Sequence, residues 1–315
     1  MKGSRAGGLP SIARGDMPAW MRRLASVLGL LVVHSALPAH AQSFEGARLL
    51  SLAEAQRALT SGNDSIFINP AGLALSRAYA LEANYGDNFE GGLRRINISV
   101  VDSQAGPVAG GLSYVFSDQI EGYIGTVERR LYGHRFDLAL AAVVVEGLSM
   151  GATARYVTFE ESRDDVELED GGFAKFDVDI GLQYRLQSGL AFAAAVYNLI
   201  PDDEAKPFTP RSYGLGVGWA NDIFSIETDM RYNLDNGKAR FQLGGSVTLG
   251  DIFPVRAGGA YDRFDDSWDI AFGAGIQSKE FGLDVGYRQQ VAVAAAFEQP
   301  KTPRIFTVGL RLLFL

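Results

Sequence analysis

From Phe176 onward, apolar side chains fall on every second position: Phe176, Val178, Ile180, Leu182, Tyr184 and Leu186, with Asp177, Asp179, Gln183 and Arg185 in the gaps. Successive side chains of an extended chain point to opposite sides, so this alternation marks a strand with one apolar and one polar face. It recurs in Phe224, Ile226, Met230, Tyr232 and Leu234 against Glu227, Asp229, Arg231 and Asn233. It recurs in Phe281, Leu283, Val285 and Tyr287 against Asp284 and Arg288, and in Phe306, Val308, Leu310, Leu312 and Phe314 against Thr307 and Arg311. Helical periodicity is absent throughout this region. Cutting at turn signals predicts about fourteen strands, at 78–86, 92–101, 107–116, 133–145, 148–159, 173–186, 189–199, 211–220, 222–233, 239–249, 254–262, 267–277, 280–290 and 303–314.

Each strand is about 9 to 14 residues long, enough to cross a bilayer when tilted. Odd connections, such as 117–132, 160–172, 200–210 and 291–302, are long and charged, while even ones, such as Gln187-Ser188 and Ser278-Lys279, are short. Outer-membrane barrels combine short periplasmic turns with longer extracellular loops, and a soluble sandwich has no reason to alternate in this way. Aromatic residues collect near strand ends (Tyr79, Tyr85, Tyr114, Phe116, Tyr156, Phe159, Tyr213, Trp219), as interfacial girdles would. The polar face carries both signs of charge, including Arg95, Asp137, Arg155, Asp177, Asp179, Glu227, Asp229, Arg256, Asp284, Arg288 and Arg311, which suits a lumen of cross-strand pairs. The fold class expected is all-β: an antiparallel transmembrane β-barrel of about fourteen strands over residues 78–315.

The segments before the barrel read differently. Met21-Arg22-Arg23, an apolar run from Leu24 to Leu37, and Ala39-His40-Ala41 form an export signal over residues 1–41, with the start at Met1 or Met21. Within residues 42–77, Ser51 to Glu54 is a capping box, which predicts a short helix at about 52–60 with Gly62 as its C-terminal cap. Then comes Asp64-Ser65-Ile66-Phe67-Ile68-Asn69-Pro70-Ala71-Gly72-Leu73-Ala74, an apolar run entering a tight turn. Pro70 fixes φ there, Asn69 bonds its own backbone and Gly72 permits a positive φ. Residues 42–77 are therefore a helical plug for a barrel too wide to fill with its own side chains.

Composition narrows the chemistry. The 315 residues carry no cysteine, three histidines and a formal charge of −8, which removes thiolate metal sites, disulfides and cysteine nucleophiles. Two histidines leave with the export signal, and the remaining His134 sits near a strand start as an interfacial polar residue. No catalytic constellation, phosphate loop, metal site or cofactor site is present in the pattern, so an enzyme is not expected. The acidic balance also argues against nucleic acid.

Behind an export signal and before a fourteen-strand pattern, Asn69-Pro70-Ala71-Gly72-Leu73-Ala74 resembles the long-chain fatty-acid transporter (FadL) superfamily, which includes PorV-like proteins of the type IX secretion system. The resemblance implies an outer-membrane barrel that passes hydrophobic small molecules through a plug-gated pocket and releases them sideways through a strand kink. The plug residues it implies are Ile66, Phe67, Asn69, Pro70, Ala71 and Gly72. The chain departs from the family in being short, with small loops. The alternative is a PorV-like adaptor that transports nothing and docks a secreted protein.

Three local features remain. The glycine pair Gly110-Gly111 within the third strand is either the lateral kink or a close packing site for the plug. The acidic run from Glu160 to Asp170 is a solvated loop or a cation site. Residues 291–297 either lengthen the thirteenth strand or fold over the mouth. The partners expected are outer-membrane lipids, hydrophobic small molecules, and the barrel-assembly machinery through a C-terminal strand whose Phe314 is penultimate rather than terminal.

Overall fold

The computed structural model describes residues 46–88, 93–124, 127–163, 166–167, 172–201, 210–235, 237–263, 266–293 and 304–314. The strands are β1 (Tyr79–Asn88), β2 (Leu93–Asp102), β3 (Val108–Ile124), β4 (Val127–Val145), β5 (Leu148–Arg163), β6 (Val166–Glu167), β7 (Phe173–Arg185) and β8 (Leu190–Tyr197). They continue with β9 (Ser212–Ala220), β10 (Phe224–Asn233), β11 (Ala239–Leu249), β12 (Phe253–Asp262), β13 (Ser267–Gln277), β14 (Phe281–Val293) and β15 (Arg304–Phe314). β6 is a two-residue strand paired to the end of β5, so the wall itself has fourteen strands, all antiparallel to their neighbours. β15 returns to β1 in a register from Tyr79↔Phe314 to Asn88↔Ile305, which closes the barrel. Closure pairs the backbone groups that an apolar surrounding could not hydrogen-bond.

The two faces are inverted relative to a soluble domain. Leu112, Phe176 and Leu215 are 54%, 53% and 51% exposed on the outside, while Asp177 and Gln183, pointing inward, are 0% exposed. Apolar-out, polar-in alternation is the arrangement of a barrel in a bilayer. Among the described residues no helix is long and apolar enough to cross a membrane. Aromatics ring the outer face near the short turns (Tyr79, Trp219, Phe253, Phe281, Phe314) and again toward the opposite end (Tyr85, Tyr156, Tyr213, Trp268). Phe159 departs from the expected girdle: its register puts it on the inner face, 7% exposed, with its ring 5.2 Å from that of Phe173.

Strand boundaries follow the expectation closely except on one side. The segments 117–124, 127–132 and 160–163, expected as loops, are continuations of β3, β4 and β5, paired from Asp118↔Tyr132 to Ile124↔Val127 and from Tyr132↔Glu160 to Arg129↔Arg163. Their charged sequence conceals this, because a ladder that rises into water no longer needs an apolar face. Asp164, Asp165, Glu169 and Asp170 of the acidic run lie outside the described residues, as do residues 1–41 and 294–297.

The chain ahead of β1 lies inside the barrel. It forms α1 (Ala47–Ser51), a 3-10 turn (Gly62–Asp64), α2 (Ser65–Ile68) and a 3-10 helix (Pro70–Leu75). The helix expected at 52–60 is thus corrected: α1 ends where that helix was to begin. The Ser51 hydroxyl donates backward to the Arg48 carbonyl at 2.7 Å, and Ala53 (φ 51°) and Glu54 (φ 70°) turn the chain left-handed. Glu54 reaches Arg288 instead of the Ser51 amide, so the barrel wall outcompetes the local capping box.

Candidate functional site

The luminal segment is held by two chemically different halves. On the side that runs from β10 through β15 to β1 the contacts are ionic. Arg48 donates to Asp64 at 2.7 Å and to Glu82 at 2.9 Å, Glu54 meets Arg288 at 3.1 Å, and Arg57 lies 3.1 Å from Asp229. Residues 56–59 are not helical, and their backbone donors still need partners. Two barrel carboxylates supply them: Gln56 and Arg57 donate to Asp229 Oδ2 at 3.1 and 3.0 Å, and Ala58 and Leu59 donate to Glu227. Burial disfavours the charged form of Arg48, but Asp64, Glu82 and Asp284 outweigh it, so its pKa is raised above the ordinary arginine value.

On the β2–β4 side the contact is apolar. Ile66 and Leu73, both 0% exposed, pack with Val101, Ala109, Ala139 and Ala141, and the small wall residues let the segment approach. Between the halves stands Asn69. Its Nδ2 donates to the carbonyls of Arg57 (3.0 Å) and Leu182 (3.2 Å), and its Oδ1 accepts from Ala71 N (3.2 Å), capping the 3-10 helix that Pro70 begins.

Glycines on the inner wall make the seat. A Cβ at Gly151 would lie 2.6 Å from the Pro70 carbonyl carbon, one at Gly218 2.6 Å from Leu59 Cγ, and one at Gly244 2.9 Å from the Leu52 carbonyl oxygen. Gly72 follows the same logic from the other side. Its φ is not positive, as had been expected; its glycine is needed because a Cβ would meet Thr60 O and Ser65 Oγ at 2.6 Å.

Of the six residues expected in the plug, Ile66, Asn69, Pro70, Ala71 and Gly72 are buried in the seat, and Phe67 alone is partly open. The Arg135 guanidinium lies over its ring at 5.2 Å. Above it the lumen is polar and paired: Asp137 binds Arg135 (2.9 Å) and Arg155 (3.0 Å), and Lys175 meets Asp177 at 2.7 Å. Gly110 and Gly111 pair without interruption to β2 and β4, and a Cβ at Gly111 would lie 3.0 Å from Ile66. Gly111 therefore makes room for the luminal segment within an unbroken ladder, while Gly110 faces outward beside Leu140.

Arg48 and Arg57 were not singled out in the sequence, and Glu54 was singled out only as part of a local capping box. The signal that could have found their site is Gly214, Gly216 and Gly218 on alternate positions of β9, opposite the acidic Glu227 and Asp229 of β10. Three glycines on one face mark a close backbone approach.

The barrel is similar to those of several solved structures. The chain is similar to the CymD monoaromatic hydrocarbon channel (TM-score 0.62, 14% identity, covering 85% of this chain and 96% of that one). It is similar to the Pseudomonas putida toluene transporter TodX (0.62, 11%, 85% and 97%) and to a Pseudomonas aeruginosa FadL homologue (0.61, 14%, 85% and 98%). The fold is a FadL-like barrel. No family model and no curated protein sequence matches the chain. At these identities the likeness is one of architecture, and this FadL-like barrel is matched over nearly the whole length of each relative.

Proposed function

We propose that this protein is an outer-membrane transporter of hydrophobic small molecules, long-chain fatty-acid-like in class, gated by residues 42–77 as a plug. Residues 1–41 are its export signal and 78–315 its barrel, inserted by the barrel-assembly machinery through the C-terminal strand. The observation that carries this reading is the seat itself: an N-terminal segment lodged in the lumen against glycines of the wall is an obstruction distinct from the wall, which an empty porin lacks. Similarity to hydrocarbon channels supports the class of solute. The test is uptake of radiolabelled oleate and toluene by a Gram-negative host lacking its own transporters of this kind. Uptake above that of the empty host supports the proposal, and equal uptake overturns it.

A second reading has its own observation. The lumen above Phe67 is lined by ion pairs, which favours a PorV-like adaptor docking a secreted protein. Purification of the barrel with a stoichiometric protein partner, and no uptake, would select it.

A further inference from the structure

The ring of Tyr197 carries two guanidiniums. Arg57, from the luminal segment, lies 5.6 Å from the ring centre and donates its Nε to the Tyr197 hydroxyl at 2.6 Å. Arg231, from the inner face of β10, lies 4.8 Å from the same centre. Strand register brings the two together a second way. Arg231 pairs with Gly214 of β9, and a Cβ at Gly214 would lie 2.8 Å from Arg57 Cζ, so the Arg57 side chain rests on the strand partner of Arg231. On its other side Arg231 pairs with Arg240 of β11.

These three arginines are not alike. Arg57 is held by Asp229, and Arg240 by Asp262 and Asp269. The acidic groups that act on Arg231 are Glu54 and Asp179, but Arg288 and Arg155 already hold them. Among the described residues no carboxylate forms an ion pair with Arg231. Its Nε donates to Ser212 Oγ at 2.9 Å and its guanidinium sits over Tyr197, while Nη1 and Nη2 bond to nothing in the described chain and are not sealed. Arg185 and Arg311 also lack an ion pair among the described residues, but each has a sealed Nε with no partner, so neither is held as Arg231 is. A guanidinium fixed through Nε, with its two-nitrogen edge open, matches the two oxygens of a carboxylate.

We propose that Arg231 anchors a carboxylate-binding site in the lumen, and that a carboxylate bound there tightens the seat of the luminal segment. The coupling follows from charge. With the segment seated, Arg57 and Arg231 repel each other around one ring in a half-buried site. An anion at Arg231 is attracted by both. With the segment displaced, Arg57 leaves and the attraction weakens, so the carboxylate favours the seated state. A small free acid and the head of an acyl chain share this chemistry. The site does not depend on whether the barrel transports anything.

The experiment follows proteolytic cleavage of the luminal segment in the full-length protein in detergent micelles. Sodium acetate is compared with sodium chloride at equal ionic strength, which holds screening constant. Acetate is expected to slow cleavage of wild type several-fold and saturably. Arg231→Met is expected to ignore acetate, and Arg231→Lys, which keeps the charge without the fork, to respond only at higher concentration. Heat-dependent gel mobility checks that each barrel is folded. Hexanoate acting at much lower concentration than acetate supports the site with an acyl-chain head as its ligand, and equal potency supports it with a small free acid. No acetate response in wild type overturns the proposal, as does an equal response in wild type and Arg231→Met.

Discussion

The side-chain amide of Asn69 donates to the backbone carbonyl of Arg57 at 3.0 Å, so one residue ties the apolar half of the luminal segment to its ion-paired half. The same nitrogen reaches Leu182 O in β7, which pins both halves to the wall. Without it, buried carbonyls lose their donor, at a cost of about 1–3 kcal/mol. Asn69→Ala is expected to leave the barrel folded by heat-dependent gel mobility while raising liposome leakage of small polar solutes several-fold. Leakage at the wild-type level would show that the wall contacts hold the segment without this staple.

The glycine seat makes a sharper contrast. Gly151→Ala places a methyl group 2.6 Å from the backbone of Pro70, whereas Gly110→Ala meets only Leu140 Cδ2 at 3.8 Å. Overpacking against backbone costs about 1–3 kcal/mol and has no side chain to move aside. Proteolysis of the intact barrel should therefore cut the luminal segment faster in Gly151→Ala and at the wild-type rate in Gly110→Ala. If the two behave alike, the close approach of Pro70 is not what that glycine serves.

Arg57 and Asp229 test the ionic half. Arg57 is 2% exposed and Asp229 3%, so truncating the arginine strands a carboxylate that also accepts two backbone donors. Breaking a buried pair from one side costs about 3–5 kcal/mol. Arg57→Met is expected to lower the urea midpoint for protection of the luminal segment, and Arg57→Met with Asp229→Asn to recover part of the loss. A double variant no better than the single one would mean that the pair is not coupled.

The barrel was legible because period-two alternation is local: residues 176–186 alone reveal which face of β7 meets lipid. Asn69-Pro70-Ala71-Gly72 was legible for a similar reason, since the Asn69 cap on Ala71 lies within the motif. The position of α1 was not, because Glu54 takes Arg288, 234 residues away, in preference to its own capping box. Nor was the partner of Glu227: nothing within β10 says that its carboxylate will receive the amides of residues 58 and 59. The extension of β3 to β5 was missed for the opposite reason, as strand pairing in water leaves no apolar stripe to read.

Ile66 and Phe67 are adjacent in sequence and should differ in phenotype. Ile66 is 0% exposed in the cluster with Leu73 and Ala139, so Ile66→Ala is expected to destabilise the seated segment by about 2–5 kcal/mol. Phe67 is only partly buried, and its ring is covered by the Arg135 guanidinium, a contact worth on the order of 0.5–2 kcal/mol. On the transport proposal, Phe67 is the one residue of the expected plug open enough for a hydrophobic solute to touch, and Arg135 covers its ring. Phe67→Ala should therefore change oleate or toluene uptake several-fold with little effect on the urea midpoint. Unchanged uptake together with a large loss of stability would make Phe67 a packing residue like its neighbour and remove it from the transport path.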